Sequence, residues 1–248
     1  YARGGDHRGL ARAGVSAMPF AAWLDDWRLA STGAEWLPLR VRARQDDFTL
    51  QLDLVSALGP VLQGERGFSQ KHPAGGGSWY YSQPFRAAKG VVTVNGNPVE
   101  VRGQAWLDRE WSSQFLQADQ SGWDWFALHL DSGEKLMLFR LRNKDDAGDG
   151  AFRHGVLISP RGETKTLDPD GIGFEVLEES RVANRKLPLH WRITLPSIKR
   201  SFEVSALHPD QWLDVDFPYW EGVVLVRGEG ESNNGRGYME LTGDPHTR

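Results

Sequence analysis

The chain has 248 residues, a formal charge of -4 and no cysteine, so disulfides, thiolate metal sites and a cysteine nucleophile are excluded. The acidic balance and the lack of any long basic run argue against a nucleic-acid surface, and no apolar run reaches the ~18 residues that a spanning helix needs. Aromatics at 11%, 28 glycines and many short alternating segments point to an all-β chain, long enough for one large or two ordinary domains.

Residues 1–17 are polar, rich in Gly and Arg and without clean periodicity, and read as a loop or a fragment end. Residues 20–29 (FAAWLDDWRL) read as one strand, with Trp23 and Trp27 on one face and Asp25 and Asp26 near its middle. Residues 36–43 (WLPLRVRA) and 48–55 (FTLQLDLV) alternate apolar and polar side chains and predict a hairpin across residues 44–47. Residues 59–77, dense in Gly, Pro and charge, predict a long loop suited to covering a barrel mouth. A strand opens at Trp79-Tyr80-Tyr81-Ser82, and Asn95-Gly96-Asn97-Pro98 is the strongest hairpin signal in the chain.

Residues 103–142 carry most of the chemistry. Trp106, Trp111, Trp123 and Trp125 are interleaved there with Asp108, Arg109, Glu110 and His129. At period two, Trp106, Asp108 and Glu110 share one face, and Leu107, Arg109 and Trp111 the other. Likewise Trp123, Trp125 and His129 oppose Phe126, Leu128 and Leu130. Such mixed faces predict a wall between a core and a polar-lined cavity. Asp131-Ser132-Gly133 then turns the chain into residues 134–142. Residues 143–150 read as a charged loop. Short strands follow at 155–159, 173–178, 189–195, 202–206, 219–227 and 237–242, the last two joined by a Gly/Asn-rich turn. With no helical period sustained, a series of about a dozen strands suits one or two antiparallel barrels.

Taken in order, YYSQP, NG, GQAWLDREWSS, GWDWFALHLDSGEKLMLFRLR, YWEGVVLVRG and GRGYMELTG resemble the lipocalin-like AttH and carotenoid 1,2-hydratase (hydroxyneurosporene synthase, CrtC) family, often labelled predicted secreted hydrolases, over roughly residues 20–243. The resemblance implies two consecutive lipocalin-like β-barrels, the remainder of an incomplete first one in residues 1–103 and the second in 104–248. It further implies a family barrel beginning upstream of Tyr1, with a Trp-Trp-Tyr motif that has no counterpart here. Asp244 stands where the last family motif closes on an aromatic. A periplasmic or secreted location, a link to an export or ABC-transporter system, and no cofactor are the remaining implications.

Two chemical readings stay open. In the first, Trp79, Tyr80, Trp106, Trp123 and Trp125 wall a pocket for an elongated apolar molecule such as an isoprenoid, lipid or polyketide, because indoles and phenols offer rigid apolar area with a polar handle. The same rings can equally fill barrel interiors. In the second, Asp108 or Glu110 is a carboxyl held neutral by apolar surroundings that protonates an alkene, with cation-π support from indoles and with His129 relaying protons or orienting water. The competing explanation is an ion pair, Asp108 with Arg109 or a cross-strand partner, or Glu110 with Arg140. Asp108 and Trp111 match the carotenoid hydratases, but Arg109 and Glu110 stand where those carry a His-Asn pair, and a guanidinium cannot exchange protons. Relatives similar to pericyclases, which fold a polyene by shape, would tolerate Arg109.

Tyr219 and Glu221 share a strand face, as do Tyr238 and Glu240, so an acid and a phenol sit together twice; a register-fixing hydrogen bond is the alternative to a ligand contact. There is no G-x-S-x-G elbow and no histidine spacing for a metal. Residues 75–77 lack the pattern of a phosphate loop. A carrier for a hydrophobic molecule and a hydro-lyase or cyclase acting on a polyene both fit the residues.

Overall fold

The computed structural model describes residues 10–56, 58–114, 116–144 and 152–243; the expected charged loop at 143–150 falls largely outside them. Among the described residues all helical turns are three-residue 3-10 segments, none long and apolar enough to cross a membrane. Nineteen strands in two antiparallel sheets dominate the described residues, in keeping with the all-β expectation. The chain divides into two compact units, Tyr1–Pro60 with Ser82–Asp108, and Val61–Tyr81 with Arg109–Arg248. Chain continuity between them is carried partly within two long strands, β8 (Gly77–Val94) and β9 (Asn97–Trp111).

The first unit starts with β1 (Ala13–Ser16), β2 (Ala21–Leu24), β3 (Trp27–Ser31), β4 (Leu39–Gln45) and β5 (Phe48–Val55), paired consecutively, and β5 then pairs with β8. Alternation decides the register. Leu39, Val41, Leu52 and Leu54 turn to a core with Phe20 and Ala88, while Arg40 meets its direct cross-strand partner Asp53 through two hydrogen bonds of 2.6 and 3.0 Å. The β4–β5 turn falls at Asp46, which takes φ 49°, and β8 reverses into β9 over Asn95 and Gly96, at φ 51° and 77°. Both are two-residue turns of the type that matches strand twist.

Two segments differ from expectation. Residues 20–29 are a tight hairpin rather than one strand: Asp25 adopts φ 51° and the chain reverses at Asp25-Asp26, so Trp23 and Trp27 lie on paired strands. A short polar side chain tolerates the left-handed region, which period counting alone overlooks. Residues 59–77 are also more ordered than a lid, for they contain β6 (Val61–Leu62) and β7 (Phe68–Gln70), and β7 pairs with the start of β8. Gln63 and Ser69 there are almost fully buried.

The second unit is built on a ten-stranded sheet. It comprises β10 (Gln120–Leu130), β11 (Lys135–Asn143), β12 (Phe152–Ile158), β13 (Thr164–Thr166), β14 (Gly173–Val182), β15 (Arg185–Leu195), β16 (Arg200–Ala206), β17 (Trp212–Leu213), β18 (Tyr219–Gly228) and β19 (Gly235–Thr242). The order is β13-β12-β11-β10-β19-β18-β16-β15-β14, with β17 beside β18. The sheet curls on itself: Phe126 of β10 meets Phe174 of β14 and Trp191 of β15, each with ring centroids 5.8 Å apart. Phe126, Leu128, Leu136, Leu138, Trp191, Ile193, Val204 and Met239 fill the interior and are essentially inaccessible to water. Burial of one such side chain contributes ~1.5–3 kcal/mol.

One charged cluster is sealed into this unit. Asp124 is 1% exposed and accepts from Arg140 Nε at 2.5 Å and from Arg142, whose guanidinium also donates to the carbonyl of Thr242. Arg140 lies over the rings of Trp191 and Phe174, at 4.8 and 5.7 Å. Arg140 is therefore paired with Asp124, not with Glu110.

Candidate functional site

Because Phe126, Leu128 and Leu130 enter the core of the second unit, the alternating residues Trp123, Trp125, Ala127 and His129 lie on the opposite face of β10, which is also largely buried, with Ala127, Met137 and Phe139 almost inaccessible. Antiparallel register extends that face across five strands. Glu221 on β18 is opposite Glu240 on β19, Glu240 opposite Trp125, Trp125 opposite Phe139 on β11, and Phe139 opposite His154 on β12. At ~4.8 Å per strand this row is ~19 Å long. It has acids at one end, two aromatic rings in the middle and an imidazole at the other end. The adjacent row runs Val223, Tyr238, Ala127, Met137, Val156.

The rings are fixed by their polar edges. Trp125 Nε1 donates to the Tyr80 hydroxyl at 3.1 Å, and Trp123 Nε1 donates to Glu240 Oε1 at 2.5 Å. The Trp123 indole also stacks on Phe217, with centroids 5.6 Å apart. The Lys71 ammonium stands 3.9 Å above the Phe139 ring and 5.1 Å from the Tyr80 ring centroid. It pairs with Glu110 Oε1 at 2.9 Å, the oxygen that also accepts from Ser78 Oγ. The Lys71 backbone carbonyl is bound by Gln120 Nε2 at 2.8 Å, which ties this lysine to the start of β10.

The two ends of the row differ electrostatically. Burial pushes the Glu221 carboxyl above its ordinary value, against the opposing effect of a hydrogen bond from Tyr219. Tyr219 is pushed up to about 12 by burial and by the neighbouring Glu221 and Glu240, and Tyr238 is raised by the same causes. This end resists further negative charge. At the other end, burial and the charge of Lys71 bring His154 down to about 4. His129, with Lys135 directly opposite, is brought down to about 4 by burial and by that lysine. Both imidazoles are neutral at pH 7, so His129 has no proton to deliver there.

The structure thus gathers Tyr80, Glu110, Trp123, Trp125, His129, Tyr219, Glu221, Tyr238 and Glu240, all within the second unit. Asp108 and Trp106 belong to the first. Asp108 Oδ1 accepts from Ser82 Oγ at 2.5 Å and from Trp106 Nε1 at 2.8 Å, which holds the carboxylate in place. Trp79 and Trp111 do not share a face with Tyr80 and Glu110. They alternate to the other side of their strands, where they are 52% and 56% exposed, Trp79 at the edge of Phe68 and Trp111 at the edge of Tyr81. Arg109 is half-buried on the Trp111 side of β9. Lys71, Phe139 and His154 were not legible as site residues. Lys71 lies in an aperiodic segment and His154 is an isolated histidine, so only the cross-strand register brings them together.

A family model described as AttH-like matches residues 2–244. A crystal structure from Nitrosomonas europaea, described as a candidate AttH, is 36% identical, with a TM-score of 0.84 over 95% of this chain and 73% of that one. The chain belongs to the AttH-like family. Kievitone hydratase from Nectria haematococca shares the fold at 22% identity, with a TM-score of 0.73 over 90% of this AttH-like chain and 70% of the hydratase. CghA does so at 13% identity, with a TM-score of 0.58 over 92% and 69%. These likenesses agree with a double lipocalin-like architecture. A search of curated proteins returned no match.

Proposed function

We propose that this AttH-like protein binds an elongated, largely apolar small molecule, of isoprenoid, lipid or polyketide kind, along the tryptophan-bearing face of the second sheet. The observation that carries the reading is the row Glu221, Glu240, Trp125, Phe139, His154. Aromatic rings in mid-row give rigid apolar contact, and hydrogen-bonding groups at both ends fix orientation. The face of the sheet that carries Phe126, Leu128 and Trp191 is filled by its own packed side chains, which favours the half-buried indoles on the opposite face. Native mass spectrometry of the protein incubated with a mixture of C20 isoprenoid alcohols, long-chain fatty acids and polyenes tests this. A one-to-one complex with at least one of these classes is expected, and no complex with any of them would contradict it.

A second reading, hydration or cyclisation of a polyene, is favoured by the acid end of the row. Glu221, whose carboxyl burial pushes above its ordinary value, would give its proton to an alkene carbon. The indole faces of Trp123 and Trp125 would steady the carbocation. A water would add to the cation and return a proton to the carboxylate, so the product gains one H2O and the acid is restored. Asp108, Glu110 and His129 are less suited to this step, since the first two are engaged by Ser82 and Trp106 and by Ser78 and Lys71, and the third is neutral. A product heavier by 18 Da in the wild type and absent with Glu221→Gln would establish the enzyme; recovery of every ligand unchanged leaves the carrier.

A further inference from the structure

Near Lys71 the hydrogen bonds of the described residues leave two buried polar groups incomplete. Ser69 is 1% exposed, and its hydroxyl has no hydrogen-bond partner among the described residues. It sits directly opposite Ser78, whose hydroxyl reaches Glu110, the partner of Lys71. The Phe139 ring under the Lys71 ammonium lies 5.3 Å from the His154 ring, and His154 Nε2 is buried and also lacks a partner among the described residues. Buried polar groups are nearly always satisfied, because an unmade hydrogen bond costs ~1–3 kcal/mol. Two such groups, one two residues before Lys71 in the chain and the other within its electrostatic reach, mark a place where something else completes the bonding.

The charge balance defines what that is. Lys71 and Glu110 offset one another, so a second anion would face the Glu110 carboxylate at close range. A hydroxyl and the one N–H of a neutral imidazole both donate, and the ammonium adds a positive potential. A neutral acceptor oxygen meets all three conditions.

We propose that Ser69 and His154, beside Lys71, form a subsite for a carbonyl oxygen at one end of the apolar ligand, that is, a ketone, an ester or a related group. This rests on the ligand lying along the Trp125–Phe139 row. It narrows the substrate class to elongated apolar molecules ending in a carbonyl. Proton chemistry, where it occurs, is then confined to the Glu221–Glu240 end.

The test compares methyl retinoate, an elongated polyene with an ester carbonyl, with the same polyene ending in a methyl group, by quenching of intrinsic tryptophan fluorescence. The wild type is expected to bind the ester ~10-fold more tightly than the hydrocarbon, the gain from hydrogen bonds near a charged group. Ser69→Ala is expected to reduce that preference to ~3-fold or less while leaving hydrocarbon affinity unchanged, and His154→Leu is expected to reduce the preference to the same extent. Equal affinity of the wild type for the two polyenes would overturn the subsite, leaving it a place for a buried water, and would not touch the binding row. An ester preference untouched by both substitutions would also overturn it. Failure of both polyenes to bind would overturn the row and the subsite together.

Discussion

Single residues divide into those that hold the second unit together and those that equip its tryptophan-bearing face. Asp124 is of the first kind: one buried carboxylate holds two guanidiniums. Asp124→Ala would leave Arg140 and Arg142 as uncompensated buried charges, and a loss of ~3–5 kcal/mol in urea unfolding is expected. His129 and His154 are of the second kind and couple the face to pH. Both fall to about 4 in the folded chain from an ordinary value of 6.5, so the folded state binds protons less readily than the unfolded state. Their contribution to stability is intact above pH ~6.5, declines as pH falls below that, and is lost by about pH 4. Urea midpoints measured across that window should drop with acidity, and His129→Gln should make the drop shallower. The alternation of Trp123, Trp125 and His129 against Phe126, Leu128 and Leu130 was legible in the sequence because a period of two is a local property. The partners of Glu110 and Asp108 were not, since Lys71, Ser78 and Ser82 are brought to them only by pairing across long strands.

At the scale of elements, hairpins with short turns announced themselves. Asn95-Gly96 and Asp131-Ser132-Gly133 carry residues suited to positive φ, and both turns occur where those residues predict them. The Asp25-Asp26 turn was hidden inside an apparently continuous strand because two aspartates also pass as exposed strand residues. β7 was hidden for the opposite reason, its glycine-rich flanks reading as loop. The row that forms the candidate site depends on β10 and β19 approaching closely at Gly237, where an added Cβ would come within 2.3 Å of the Ala127 carbonyl oxygen. Gly237→Val is therefore expected to push these strands apart, costing ~1–3 kcal/mol. Differential scanning calorimetry checks the stability, and a blue-to-red shift in tryptophan emission would report the loosening of Trp123 and Trp125.

On the scale of the whole molecule, family membership and the all-β class could be read from the order of six short motifs, because together they sample strands along nearly the whole chain. The location of the site could not. Sequence periodicity identifies two faces of a strand but does not say which one a curling sheet closes upon, and here the face of Phe126 and Leu128 closes on itself while the indole face lies opposite, half-buried at Trp123 and Trp125 and buried at Ala127 and Phe139. The proposed recognition row lies on the face of the second sheet opposite that filled core. Tryptophan-fluorescence titration with the methyl-ended polyene, comparing wild type, Trp125→Ala and the interior change Ile193→Val, tests that placement most directly. The account predicts that Trp125→Ala weakens binding ~10-fold or more, with the native far-UV spectrum retained, whereas Ile193→Val binds as wild type does. Unchanged affinity in Trp125→Ala together with weakened binding in Ile193→Val would put the ligand among the core side chains and contradict it.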